Sequence, residues 1–142
     1  MVDMRTLESV VEELLRLYNV TAPPIPIEQM LQKPHPDMWV DVDINEFSSS
    51  FLSISTPFAP RMSLARFLAR HIAKSPWGEK RGLSQIEENG QIHPFARILT
   101  MPGGLVMEIN KESRTPELIS LHFEVPEEDA SLRLQDLAAY AG

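Results

Sequence analysis

Arg66, Arg70 and Lys74 recur at four-residue intervals, and at 3.6 residues per helical turn they line up as one basic row. Two guanidiniums one turn apart can grip a carboxylate or phosphate through forked N–H groups, which makes Arg66 and Arg70 candidate anion contacts. The same side chains can instead pair internally with acids such as Glu87, Glu88 or Asp41, and that plainer reading is favoured. Metal binding is the second candidate chemistry. His71 lies about 100° round the helix from Arg70, and His93 sits near Gln91 with Glu87 and Glu88 upstream. A site rebuilt from His71, His93 and one of these glutamates is the metal reading. Isolated histidines satisfy no ligand spacing, so His71 at a core boundary and His93 at a solvent-side helix start is the stronger expectation.

The helix that must carry the basic row spans residues 61–72. Leu64, Leu68 and Ile72 form its apolar stripe, with Ala65 and Ala69 beside them. Before it, Leu7, Val10, Val11, Leu14, Leu15 and Tyr18 predict an amphipathic helix over residues 4–18. A short helix is expected from Pro26, where a missing N–H costs nothing. The alternation in Trp39-Val40-Asp41-Val42-Asp43-Ile44 predicts a strand, with Asn45-Glu46 as the turn and Phe47–Ser55 as its antiparallel partner. Pro57 and Pro60 set the start of the central helix.

Beyond it, residues 74–82 read as a basic loop carrying Trp77. A helix beginning near Gly90 to Pro94 should turn Phe95, Ala96, Ile98 and Leu99 inward, and another short one is expected over Leu105–Asn110. Thr115-Pro116-Glu117 is a helix start. It opens a closing pair of helices over residues 113–142, with Ala130, Leu134 and Leu137 in the last.

These segments resemble, in order, the ImmA/IrrE family of zinc metallopeptidases. The central helix is similar to the family's active-site helix, R-F-T-L-A-H-E-L-G-H, with Arg61-Met62-Ser63-Leu64-Ala65 on R-F-T-L-A. The resemblance puts Arg66 and Arg70 on the two zinc-binding histidines and Phe67 on the catalytic glutamate. His93 to Pro102 is similar to the A-N-x-F-A-A-x-L-L-M-P segment, and Gln91 takes the position of the third zinc ligand. Pro24-Ile25-Pro26-Ile27-Glu28 looks like the opening P-V-P-V-E, and the closing helices match L-A-x-x-F-G-V-S-x-x-A-x-x-x-R-L-x-x-L with Arg133 and Leu134 on R-L.

Two cationic side chains repel zinc, and phenylalanine takes no proton, so the resemblance implies a scaffold from which the protease chemistry has been removed. It implies an α+β, mostly helical zincin-like domain over residues 1–142, with a small antiparallel sheet and the closing helical hairpin. No cofactor is expected. Active family members cleave helix-turn-helix repressors. By implication the expected function is an inactive regulatory or protein-binding module, with a helix-turn-helix repressor as partner and Arg66, Arg70, Lys74 and the Trp77 loop as its contacts. The competing reading is a divergent zinc metallopeptidase using His71, His93 and Glu87 or Glu88.

Bulk composition narrows the remaining classes. A 142-residue chain that is 43% hydrophobic can bury one real core. The net charge of −7 hides an asymmetry: residues 61–81 hold six basic side chains against Glu79 alone, while both flanks are acidic. An overall acidic balance argues against general nucleic-acid binding. The closing hairpin invites comparison with a DNA-binding helix-turn-helix, but from 115 to 139 its one base, Arg133, faces six acids. No apolar run is long enough for a membrane span, the first residues lack the order of a signal peptide, and cysteine is absent. A cytoplasmic location with no membrane contact is therefore expected.

Overall fold

A computed structural model describes residues 1–42 and 58–141. Helix α1, Met4–Leu17, buries Leu7, Val10, Val11, Leu14 and Leu15 along the expected stripe. Asp3 caps it, its carboxylate accepting from the Arg5 N–H at 2.9 Å. Helix α2, Ile27–Gln32, follows Pro26 and buries Ile27, Met30 and Leu31.

The central helix, α3, runs Ala59–Lys74 and buries Met62, Leu64, Ala65, Leu68, Ala69, Ile72 and Ala73. One turn of helix, α4 (Pro76–Glu79), follows where the composition predicts only a loop. Ser75 starts it, its hydroxyl accepting from the Gly78 N–H at 3.0 Å.

Helix α5, Ile92–Thr100, buries Phe95, Ala96, Ile98 and Leu99 as its periodicity predicts. Helix α6, Gly103–Met107, follows Pro102, starts two residues before the expected Leu105 and ends before Asn110. A single 3-10 turn, Lys111–Ser113, leads to α7, Pro116–Phe123, capped by the Thr115 hydroxyl. Glu124 adopts a left-handed backbone conformation that ends α7, and α8 then runs Glu127–Ala141.

The expected α+β architecture is overturned: every regular element among the described residues is helical. Trp39–Val42 is not a strand. The Trp39 indole N–H donates to the Leu31 carbonyl at 3.1 Å, and the Val42 backbone N–H donates to the same oxygen. This segment therefore folds back over the end of α2, and the backbone hydrogen bonds of a ladder are replaced by contacts to one helix terminus. Alternation in the sequence reflects one buried indole followed by an 81% exposed Val40, not two faces of a sheet. Asp43, Ile44, the Asn45-Glu46 turn, the partner strand over Phe47–Ser55 and Pro57 lie outside the described residues.

The core forms around α3. It packs along α5 and also against α2 and α4; α5 reaches α1 and α8, and α7 pairs with α8 as a hairpin. Arg61, near the start of α3, donates to the carbonyls of Phe123 and Glu124 at 3.0 and 3.2 Å and also to that of Ile25. A single guanidinium thus ties α3 to the hairpin turn and to the segment before α2.

Candidate functional site

With Leu64, Leu68 and Ile72 directed into the core, the geometry of α3 carries Arg66, Phe67, Arg70 and Lys74 toward its outer edge. Arg66 meets the last helix. Its guanidinium lies 3.7 Å from the Asp129 carboxylate, which sits in the first turn of α8. Arg97, projecting from α5, approaches the same carboxylate oxygen at 4.0 Å and Asp136 at 4.0 Å. These separations suit charge attraction but are too long for hydrogen bonds. The Nε atoms of both Arg66 and Arg97 are buried without a hydrogen-bond partner.

His93, one turn before Arg97, is exposed at the rim of this cluster. Burial, followed by the positive charges of Arg66, Arg97 and Arg70, holds its imidazole below the usual histidine range, while Asp129 pulls the other way. Asp129 is shifted above the usual carboxylate range, because the cost of burying its charge outweighs the pull of Arg66 and Arg97.

Arg70 and Lys74 are drawn elsewhere. Arg70 Nε donates to Glu87 at 3.0 Å, and Lys74 pairs with the other oxygen of the same carboxylate at 3.3 Å. Water screens these groups, since the Arg70 and Glu87 side chains are 41% and 38% exposed. Arg70→Ala is therefore expected to change unfolding free energy by less than about 1 kcal/mol in urea titration. A loss well beyond that would show that the pair holds α3 in place.

Phe67 sets its ring against His71, with ring centroids 4.3 Å apart. His71 is lowered by burial and by Lys74, and it borders a groove with Met38, Trp39 and Pro76. Gln91 is bound to the N-terminal segment. Its side-chain oxygen accepts from the Val2 N–H at 3.1 Å and its amide donates to the Val2 carbonyl at 2.7 Å, so it holds the segment before α1. Trp77 is buried, and the Arg81 guanidinium stacks over its ring at 3.8 Å. Arg81 also pairs with Glu13, leaving this aromatic enclosed by its own chain.

The residues resembling a zinc site do not fit the ion. Arg66, Phe67 and Arg70 supply no donor atom for zinc, and Gln91 is committed to Val2. Among the described residues no three His, Asp or Glu side chains are grouped so that they could hold a metal. His71 and His93 belong to different surroundings, Glu87 is engaged by Arg70 and Lys74, and Glu88 is exposed.

The structure thus gathers Arg66 with His93, leaves Arg70 close enough to act on His93 while it is bound to Glu87, and commits Gln91 and Trp77 to contacts elsewhere. Arg97 and Asp129 join Arg66 and His93, and no sequence signal near α3 points to either. Both belong to helices whose placement beside Arg66 depends on the folded chain.

No protein-family model, curated protein or solved structure matches this chain in comparison.

Proposed function

We propose that this chain is a catalytically inactive ImmA/IrrE-like domain that works as a regulatory, protein-binding module. Its partner is a helix-turn-helix repressor, the class of protein that active family members cleave. What supports this reading is the resemblance along α3, which puts Arg66, Phe67 and Arg70 on the two zinc ligands and the catalytic glutamate of the family. In place of a metal, the two arginines face Asp129 and Glu87. The exposed parts of Arg66, Arg70 and Lys74 give the partner a basic edge on an otherwise acidic chain.

Direct DNA binding is not part of this function. Arg133, the one base of the hairpin between residues 115 and 139, is fully buried. Any phosphate reaching that face would meet acids. No helix among the described residues is long and apolar enough to cross a membrane. The module is assigned to the cytoplasm, where repressors act.

The test is to mix the purified chain with a helix-turn-helix repressor from the same organism and follow both by analytical ultracentrifugation and gel electrophoresis. A complex with intact repressor is expected, weakened when Arg66 and Arg70 are both changed to Glu. Zinc-dependent cleavage of the repressor would overturn the proposal.

A further inference from the structure

A groove of about 470 Å³ opens between α6, the 3-10 turn that follows it and the second half of α8. That volume falls within the range of small-ligand sites, about 300–1,000 Å³. Two of its walls are aliphatic. Val106 and Met107 come from α6 and Leu134 and Leu137 from α8, with Val106 fully buried and Leu137 5% exposed while Met107 is 43% exposed at the lip.

The third side is cationic, formed by Lys111 and Arg114. Arg114 Nε donates to the Ile109 carbonyl at 2.8 Å and its Nη2 to the Met107 carbonyl at 2.9 Å, which fixes the guanidinium and leaves Nη1 for another acceptor. Neither cation enters an ion pair with a described residue. The acids nearest them in sequence, Glu108, Glu112 and Glu117, are exposed and none lines the groove, while Asp136 of α8 faces Arg97. An anion lying here therefore meets two positive groups and no carboxylate among the described residues.

The lining also dictates the body of the ligand. Among the described residues it holds no side-chain hydroxyl, amide or carboxylate, so a polar group on that body would lose its water and gain no side-chain bond in return. Aliphatic walls with an unbranched thioether suit a flexible hydrocarbon chain.

We infer that this groove binds an aliphatic carboxylate of medium chain length, a fatty acid, with its head at Lys111 and Arg114 and its tail along Met107 and Leu137. The site shares no residue with the basic row of α3, and it stands or falls without the partner-binding reading. Met107 and Leu137 also border a second groove of about 330 Å³, which reaches Gly103 and Gly104 beside α1. The tail of a longer acid can continue there. Each methylene withdrawn from water along these walls should strengthen binding by about two- to fourfold.

The probe is sodium decanoate at millimolar concentration, added to the full chain with isotope-labelled methionine methyl groups and followed by NMR. A saturable shift of the Met107 methyl is expected, with the core methyl of Met62, 2% exposed, unmoved and with octanoate saturating at higher concentration. Lys111 is exposed, so Lys111→Gln tests the head contact without disturbing the core, and it should weaken decanoate by about three- to tenfold. Ala138→Trp, at an exposed position of α8 that lines the groove, fills the space and should abolish saturation.

A Met107 methyl that does not move, a Met62 methyl that moves with it, decanol binding as tightly as decanoate, or an affinity unchanged in Lys111→Gln or Ala138→Trp would each overturn the inference. Tighter saturation by a blocked Leu-Leu-Glu peptide would overturn it too, since the occupant would then be a protein segment.

Discussion

Arg133→Ala is expected to lower the unfolding free energy by about 3–5 kcal/mol, the usual cost of stripping one partner from a buried ion pair. The Arg133 side chain is fully buried in α8. Its Nε donates to the Met101 carbonyl at 2.9 Å, and its Nη2 pairs with Glu8 on α1. Glu8, only 14% exposed, also accepts from the Gly103 N–H at 3.2 Å. One guanidinium therefore joins the last helix, the first helix and the chain after α5.

Alanine would leave the Glu8 carboxylate without that counter-charge, free a buried carbonyl and open a cavity. Arg133→Lys keeps the charge but not the fork, and should retain part of the stability. Urea denaturation followed by circular dichroism measures both. Since domains of this size are stable by only about 5–15 kcal/mol, the alanine variant should be visibly close to unfolding at moderate temperature. A loss below about 1 kcal/mol would mean that the buried guanidinium is dispensable.

Gly78→Ala is the second large effect, and its cause is steric. A Cβ at position 78 would overlap the Ile72 carbonyl oxygen and lie 2.9 Å from its carbon and 3.2 Å from the Ala73 Cα. These are backbone atoms in the last turn of α3, so no side-chain rotation relieves the clash. The same turn is bound by Ser75, whose hydroxyl donates to the Ile72 carbonyl at 2.7 Å while accepting from Gly78. Alanine must push α4 off α3 and disturb the Trp77–Arg81 stack, and a loss of about 2–3 kcal/mol is expected.

Gly104→Ala is the control, because that position meets nothing within 4 Å. It lies inside α6, where alanine is the better helix former, so its stability should be unchanged or slightly raised. Tryptophan fluorescence during denaturation distinguishes the two. Equal stability of the variants would refute the close contact between α4 and α3.

Most of the helices were legible because each satisfies a local rule, α4 being the exception. The stripe from Leu7 to Leu15, the row Leu64, Leu68 and Ile72, and the Thr115-Pro116 start all appear as read. Trp39-Val40-Asp41-Val42 failed because a strand also needs a hydrogen-bonding partner, which a period of two cannot reveal; here the partner is the Leu31 carbonyl.

Of the candidate site, Glu87 stood in the sequence as one of three acids, with Glu88 and Asp41, that could pair with Arg66 or Arg70, and it is Arg70 that takes it. Asp129 could not be assigned to Arg66, because 63 positions separate them and any of several acids would have served. Arg133 misled for the same reason. In sequence it is the lone base of an acidic hairpin, and in the fold it is a buried strut. Gln91, which the resemblance sets at a ligand position, holds Val2, a contact across 89 positions that no spacing encodes.

Zinc content measures the central claim most directly. Protein purified without an affinity tag and dialysed against micromolar zinc should show a metal stoichiometry near zero by elemental mass spectrometry, since Arg66, Phe67 and Arg70 offer the ion no donor. About one zinc per chain, lost on His71→Ala or His93→Ala, would contradict the account and make the chain a metalloprotein with a rebuilt site.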